Sequence, residues 1–535
     1  MSRPISPLLL ALVLACVASQ PLSAAPAPKE VQADPAHNPL IWADVPDIAI
    51  IRVGKTYYMS STTMHMSPGL PIMKSTDLVN WSMASYAYQT LGDTEALSLE
   101  NGKNAYGAGS WASSLRYHDG VFHASTFSAN TGRTHIYTTR DPERGPWKET
   151  SFEPLLGDHS LFFDDDGRVY MVHGGDRIML TELKSDLSGT KPGGVNKVII
   201  EHVNAVFGAD QGGLKGEGSQ LFKVNGRYYL FNIASPGSRW ARTVIVSRAD
   251  AIDGPYESRI ALDDRGIAQG GLIDTPEGKW YAYLFKDNGA VGRIPYLVPV
   301  TWKDGWPVLG QDGKVPMTID IPAGAQGVSG IVASDEFDRL PGAPDLPLAW
   351  QWNHNPVPRD WSLTKRPGYL SFVTSRVVST LPEAPNTLTQ RTFGPASSAT
   401  TRIDVSGMKD GDWAGLAAFQ RQYGFVGVKM SGGARSLVMV SADSDHPEEI
   451  ASVPLPGKTV HLKVECEFQP APEVARFSYS FDGKSWTPIG RPSHLAYTFP
   501  HFMGYRYALF FYSTKTAGGR VDFDYYRIGQ GGGSH

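Results

Sequence analysis

Five short stretches of the chain repeat one pattern of hydrophobic and polar positions. "VGKTYYMSS" (Val53 to Ser61), "HDGVFHAST" (His118 to Thr126), "DDGRVYMVH" (Asp165 to His173), "NGRYYLFNI" (Asn225 to Ile233) and "PEGKWYAYL" (Pro276 to Leu284) each place a glycine turn ahead of a run in which aromatic and apolar residues alternate. Alternation is the period of a strand half-buried in a sheet, and a glycine between two such runs is a hairpin signal. The turn glycines fall at 54, 120, 167, 226 and 278, at unequal intervals that each suit one four-stranded unit. Five copies of one β unit predict a five-bladed β-propeller. A β-sandwich built from similar hairpins is the other architecture open to this pattern, because turns alone do not set sheet curvature. No long stretch carries the 3.6-residue period of a helix, so the expected class is all-β.

The texture changes near residue 330. "SDEFDRLPGAPDLPLAWQWNHNP" (Ser334 to Pro356) is a proline-rich lead-in, after which short β runs alternate with turns, as in "WAGLAAFQRQYGFVGVKMSGG" and "RYALFFYSTKTAGGRVDFDYYRIG". This second half reads as a β-sandwich of the jelly-roll kind. The expected organisation is a leader over 1–25, a propeller over 36–325, a sandwich over 330–529 and a flexible glycine-rich tail over 530–535.

The leader rests on Arg3, an apolar stretch from Leu8 to Val17 and the small residues Ser23-Ala24-Ala25. That is the layout of a signal peptide, too short to span a membrane, and it implies export to the periplasm or beyond. "VLAC", ending at Cys16, offers lipid anchoring as the alternative. Removal of the leader leaves Cys466 as the single thiol, so the mature chain has no internal disulfide.

Composition narrows the function. In 535 residues, 41% are hydrophobic and 19% charged, which is ordinary for a folded protein, and the net charge of −4 offers no field for holding phosphates. Nucleic acid is therefore not an expected partner. The 56 glycines, 23 tyrosines and 13 tryptophans suit tight turns and aromatic surfaces that stack on sugars. No His/Cys cluster has zinc spacing, so no catalytic metal is implied.

A propeller leaves a funnel at one face, lined by the innermost strands and the segments leading into them. Three such segments carry a carboxylate directly ahead of an apolar strand: Asp47 in "VPDIAII", Asp158 in "GDHSLFF" and Glu217 in "GEGSQLF". Asp44, just upstream of Asp47, reads as a supporting or turn residue. The triplet Asp164 to Asp166 reads as solvated hairpin chemistry, since Asp and Gly are what such turns prefer.

The conjunction of "NPLIWADVPDIAIIRVGKTYYMSS", "GSWASSLRYHDGVF", "DHSLFFDDDG", "GEGSQLFKVNGRYYL" and "GAVGRIPYLVPVTWKDGWPVLG", in that order over residues 38 to 310, resembles family 43 of the glycoside hydrolases, enzymes with a five-bladed propeller. The resemblance implies an inverting hydrolase in which Asp47 is the general base, Glu217 the general acid and Asp158 the residue that tunes and orients the acid. It also implies substrate-binding positions. Trp111 in "GSWASS" is either a sugar platform or a packed core residue. Arg293 in "VGRIPY" matches an arginine that points into the pocket, where its guanidinium would hold Asp158 or a sugar hydroxyl, and Met64 falls where relatives carry an aromatic at the wall. Many relatives place a histidine on the propeller axis, sometimes near calcium; here "GIAQGGLIDT" supplies Ala268 and Gln269, which puts a structural calcium in doubt and leaves Gln269 as a pocket residue. "WQWNHNP", "NTLTQR" and "GDWAGLAAFQ" resemble the concanavalin-like sandwich that follows the propeller in one branch of the family, where an aromatic closes the pocket edge; Phe502 in "FMGYRYALFF" is the candidate.

The expected function is therefore an exo-acting glycosidase releasing terminal α-L-arabinofuranose or β-D-xylose from plant cell-wall oligosaccharides, with no cofactor required. A carbohydrate-binding protein without catalysis, and a sandwich that is itself the binding module, are the competing classes. Oligomeric state is left open.

Overall fold

Five four-stranded antiparallel sheets follow one another along the first 310 residues of the computed structural model, which describes residues 1, 34–340, 346–444 and 446–531. Each repeated glycine is the turn between the first and second strands of a blade. Gly54 joins Ala49–Val53 to Thr56–Ser60, Gly120 joins Ser114–His118 to Val121–Ser128, and Gly167 joins Ser160–Phe163 to Val169–His173. Gly226 joins Glu217–Val224 to Arg227–Ala234, and Gly278 joins Ala268–Asp274 to Trp280–Asp287. All five glycines have positive φ, between 64° and 81°. A side chain there would be strained, which is why one residue type recurs at this turn.

The first strand of each blade touches the first strands of its two neighbours, Ala49–Val53 meeting both Ser114–His118 and Ala268–Asp274, so the five close into a ring. No blade is shared between the two ends of the domain. The ring is fastened instead by Pro35–His37, which pairs with Thr318–Pro322, and by the Asn38 side chain. Asn38 Nδ2 donates to Leu297 O (2.9 Å) and its Oδ1 accepts from Leu297 N (2.9 Å), so a single amide stands in for a strand partner. The propeller reading holds and the alternative single sandwich does not.

The second half forms two packed sheets. One runs, in spatial order, through Glu448–Pro454, Ala434–Ala442, Tyr423–Ser431, Asp412–Phe419, Arg506–Ser513, Leu388–Arg391 and Gln351–Asn353. Its last strand, Met66–Ser67, comes from the first blade of the propeller. The other sheet centres on Ala396–Asp404 between Thr459–Glu467 and Arg520–Gln530. In Ala396–Asp404 the burial alternates strictly, as a strand with one face on the core requires. The only helical segments among the described residues are four 3₁₀ turns.

One boundary differs from the sequence reading. The final strand runs through Gln530, which pairs with Ser397, so the tail does not begin at 530. The leader, with Cys16, and residues 532–535 lie outside the described residues. Cys466 is a free, fully buried thiol in the second sheet. No helix among the described residues is long and apolar enough to cross a membrane.

Candidate active site

The chain enters four of the five innermost strands through a residue in the left-handed region, at the same place in each blade. These are Asp47 (φ 53°), Asp158 (φ 47°), Gly218 (φ 67°) and Gln269 (φ 54°). In the last two blades the position coincides with a register shift, between Glu217 and Gln220 and between Ala268 and Gly270. A left-handed residue re-aims the chain much as a bulge does, and aspartate tolerates that conformation better than most side chains. Asp47 and Asp158 precede their strands, and Glu217 opens its own, because this is where the backbone kinks into the funnel. Glu217 sits one residue before the kink of its blade and has one more methylene with which to reach the funnel.

Asp47, Asp158 and Glu217 come together in one cavity of about 500 Å³. Asp47 is 6% exposed and is held from two sides. Arg293 Nη1 donates to its Oδ1 and Oδ2 (3.0 and 3.2 Å), so the guanidinium holds Asp47 and not the expected Asp158, and Gln269 Nε2 donates to Oδ1 (2.9 Å). Arg293 is itself fixed. Its backbone N–H donates to Asp44 Oδ1 (2.7 Å), its carbonyl accepts from Val45 N (2.9 Å), and its Nη2 donates to the Phe502 carbonyl (3.3 Å). Asp44 is thus a buried support for Arg293 and does not line the cavity. Burial pushes its carboxyl above the usual range against the pull of Arg293.

Asp158 Oδ2 accepts the backbone N–H of Gly218 (3.3 Å), which ties it to the residue next to Glu217. Burial is the first cause that raises Asp158, to about 7, with the nearby charges of Glu217 and Asp47 adding to it. Glu217 is raised as well, again first by burial, while the guanidinium of Arg242 pulls it down and Asp47 pushes it up. Two carboxyls in a shared dry site do not ionise independently, and this pair keeps a proton into the neutral range.

The opposite wall comes from the sandwich. Tyr497, Phe499 and Phe502 line the cavity together with Trp111 of the propeller. The Phe502 ring stacks on Phe499 (4.7 Å, 16°), tilts against Trp111 (5.6 Å) and lies beneath the Arg293 guanidinium (4.4 Å). Trp111 is half-buried with its ring on the cavity, as a sugar platform would be, and not sealed in a core. Met64 is the exception among the expected positions. It is fully buried, absent from the cavity wall, and its carbonyl accepts the N–H of Ser110 (3.0 Å). The cause is the adjoining Met66–Ser67 strand, which is drawn into the sandwich sheet and takes the segment away from the funnel.

The comparisons fit this geometry. The family described as "Glycosyl hydrolases family 43" matches residues 36–307, and "Beta xylosidase C-terminal Concanavalin A-like domain" matches 334–529. The chain belongs to glycosyl hydrolase family 43. It is a glycosidase. Among curated relatives of this family 43 protein, a "Beta-xylosidase" of Formosa agariphila is 28% identical over 91% of this chain and 89% of its own length. A "Non-reducing end alpha-L-arabinofuranosidase" of Bacteroides ovatus is 28% identical over 71% of this chain and 72% of its own. A solved structure of a bifunctional GH43-CE protein of Bacteroides eggerthii superposes with a TM-score of 0.91 at 56% identity, covering 93% of this chain; the chain spans 64% of that protein's length.

The axial position that carries histidine in many members of the family holds Ala268, fully buried and without a donor, and Gln269 spends its amide nitrogen on Asp47. No group of three or more His, Cys, Asp or Glu among the described residues is arranged to hold a metal ion. The histidine that the resemblance implied is absent from this position, and no chemical step is routed through a metal ion. Cavity residues that the sequence pattern did not reveal are Leu214, Trp240, Arg242, Asp287, Gly289, Tyr497 and Phe499. All but Asp287, which ends the strand Trp280–Asp287, sit in connecting segments, where no periodicity announces which way a side chain faces.

Proposed function

We propose that this family 43 enzyme removes one terminal pentosyl unit, β-D-xylose or α-L-arabinofuranose, from plant cell-wall oligosaccharides by single displacement with inversion. The observation that carries this reading is the meeting of three carboxylates from three blades in one cavity walled by the sandwich. Asp47, oriented by Arg293 and Gln269, takes a proton from water as its oxygen attacks the anomeric carbon. Glu217 gives its proton to the departing glycosidic oxygen as the old bond breaks. Burial and the charge of Asp47 keep Glu217 protonated, and Asp158, which accepts the N–H of Gly218, positions it. Inverting enzymes space the acid and base about 6.5–9.5 Å apart to admit the water, and groups delivered by separate blades of a ring can meet that need. The names of the curated relatives support the pentose class, and the apolar leader supports export to where such polymers are met.

The test is a panel of 4-nitrophenyl β-D-xylopyranoside and α-L-arabinofuranoside, with the product anomer followed by proton NMR. The expected result is release of nitrophenol from at least one, an inverted first-formed anomer, and a loss of about a thousandfold or more in kcat for Asp47→Asn. Activity on neither pentoside, or a retained anomer, would overturn the proposal.

A further inference from the structure

The general acid must stand beside the glycosidic oxygen, so the wall next to Glu217 on its own blade faces the leaving group. That wall is the segment running into the third strand of the fourth blade, Thr243–Ala249, and it presents Trp240 and Arg242 to the cavity. Residues two apart in extended chain share a face. Trp240 is 69% exposed, and among the described residues its ring has no aromatic or hydrogen-bond partner. An indole left open at the mouth of the cavity that holds the three carboxylates is an apolar surface with a use still to be assigned. Behind it, Arg242 is 7% exposed; its Nη1 donates to Asp287 Oδ2 and its guanidinium rests over Phe285 at 5.6 Å, while among the described residues neither Nε nor Nη2 has a hydrogen-bond partner.

We propose that Trp240 is the platform on which the first sugar of the leaving group stacks, with Arg242 Nη2 donating to one of that sugar's hydroxyls. Resting on the glycosidase reading above, this assigns the enzyme a preference for substrates whose leaving group is itself a neutral sugar. The apolar face of the ring covers the indole, and the planar guanidinium meets the hydroxyl edge. Trp240 takes nothing from the protein core, so its ring can be removed without loss of packing.

The experiment compares β-1,4-xylobiose with β-D-xylosyl fluoride, or their arabinofuranosyl counterparts if the nitrophenyl panel selects that sugar. Fluoride leaves without any ring to stack, so the ratio of kcat/KM on the disaccharide to kcat/KM on the fluoride reads the leaving-group site. In Trp240→Ala this ratio should fall about tenfold, and Trp240→Phe should restore most of it. Arg242→Lys, which keeps the charge facing Glu217 but loses the planar fork, should lower the ratio as well; an unchanged ratio removes Arg242 from the site. An unchanged ratio in Trp240→Ala with an active wild type overturns the assignment alone. A wild type inactive on both substrates overturns the glycosidase reading on which it rests.

Discussion

Asp158 is where burial and charge act together most strongly on a carboxyl in this molecule, and the consequence reaches stability as well as catalysis. Burial, then Glu217, then Asp47 hold it near 7 against an ordinary 3.8. The folded state therefore binds a proton that the unfolded chain gives up between roughly pH 4 and 7. Stability from this group is fully present at the acid end of that window and is lost as pH rises through it. Asp158→Asn keeps the shape and removes the titration. The variant should melt at nearly the wild-type temperature near pH 4 and above it by about 2 °C or more at pH 7.5, read by calorimetry. A gap that stays constant across this range would mean that Asp158 is not the strained group. Such strain belongs to function, since a carboxyl that keeps a proton into the neutral range is what the acid half of the site requires.

At the scale of elements, the site depends on two kinds of segment, and only one of them leaves a mark in the sequence. The lead-ins to the innermost strands do. A carboxylate followed by an apolar run, three times in three repeats, marks Asp47, Asp158 and Glu217, and the family motifs around them bring in Trp111, Arg293 and Gln269. The sandwich segment from Tyr497 to Phe502 leaves a weaker mark, because its role comes from where a distant sheet deposits it. Phe502 was legible through its resemblance to relatives, whereas Tyr497 and Phe499 beside it were not. Met64 shows the reverse error. Its neighbourhood looks like pocket wall in sequence, yet Met66 and Ser67 pair with Trp352 and Asn353 nearly 300 residues away, and no local pattern records that pairing.

The wall is held in place by a close approach. A Cβ on Gly504 would lie 2.2 Å from the Val291 carbonyl and 3.0 Å from the Asp44 Cβ, so no side chain fits where the sandwich meets the Arg293 support. Tyr505 N donates to Ala290 O (2.9 Å) at the same contact. Gly504→Ala should push Phe502 off the Arg293 guanidinium and lower kcat/KM about tenfold or more in a protein that remains folded by circular dichroism. Full activity in this variant would mean that the position of the sandwich wall does not matter to catalysis.

As a whole, the molecule is a ring and a sandwich joined by more than contact. The propeller lends Met66–Ser67 to the sandwich sheet, Arg391 Nε reaches back to the Asp44 carbonyl (2.9 Å), and Phe502 accepts from Arg293. The repeats made the ring legible in sequence, since five equal turns admit few closures. The seam was not legible, since it is made of single residues far apart along the chain. Its effect is to wall one side of the funnel with Tyr497, Phe499 and Phe502, leaving a cavity of about 500 Å³ around the carboxylates instead of a groove running across the face. Such a cavity admits a chain end and excludes the middle of a polymer. The most direct test is to digest a linear xylan or arabinan, according to the sugar preferred, and to size the products over the first few per cent of hydrolysis. A single pentose should appear from the start while the polymer's viscosity barely falls; a ladder of mid-length oligosaccharides ahead of any monomer would contradict the account.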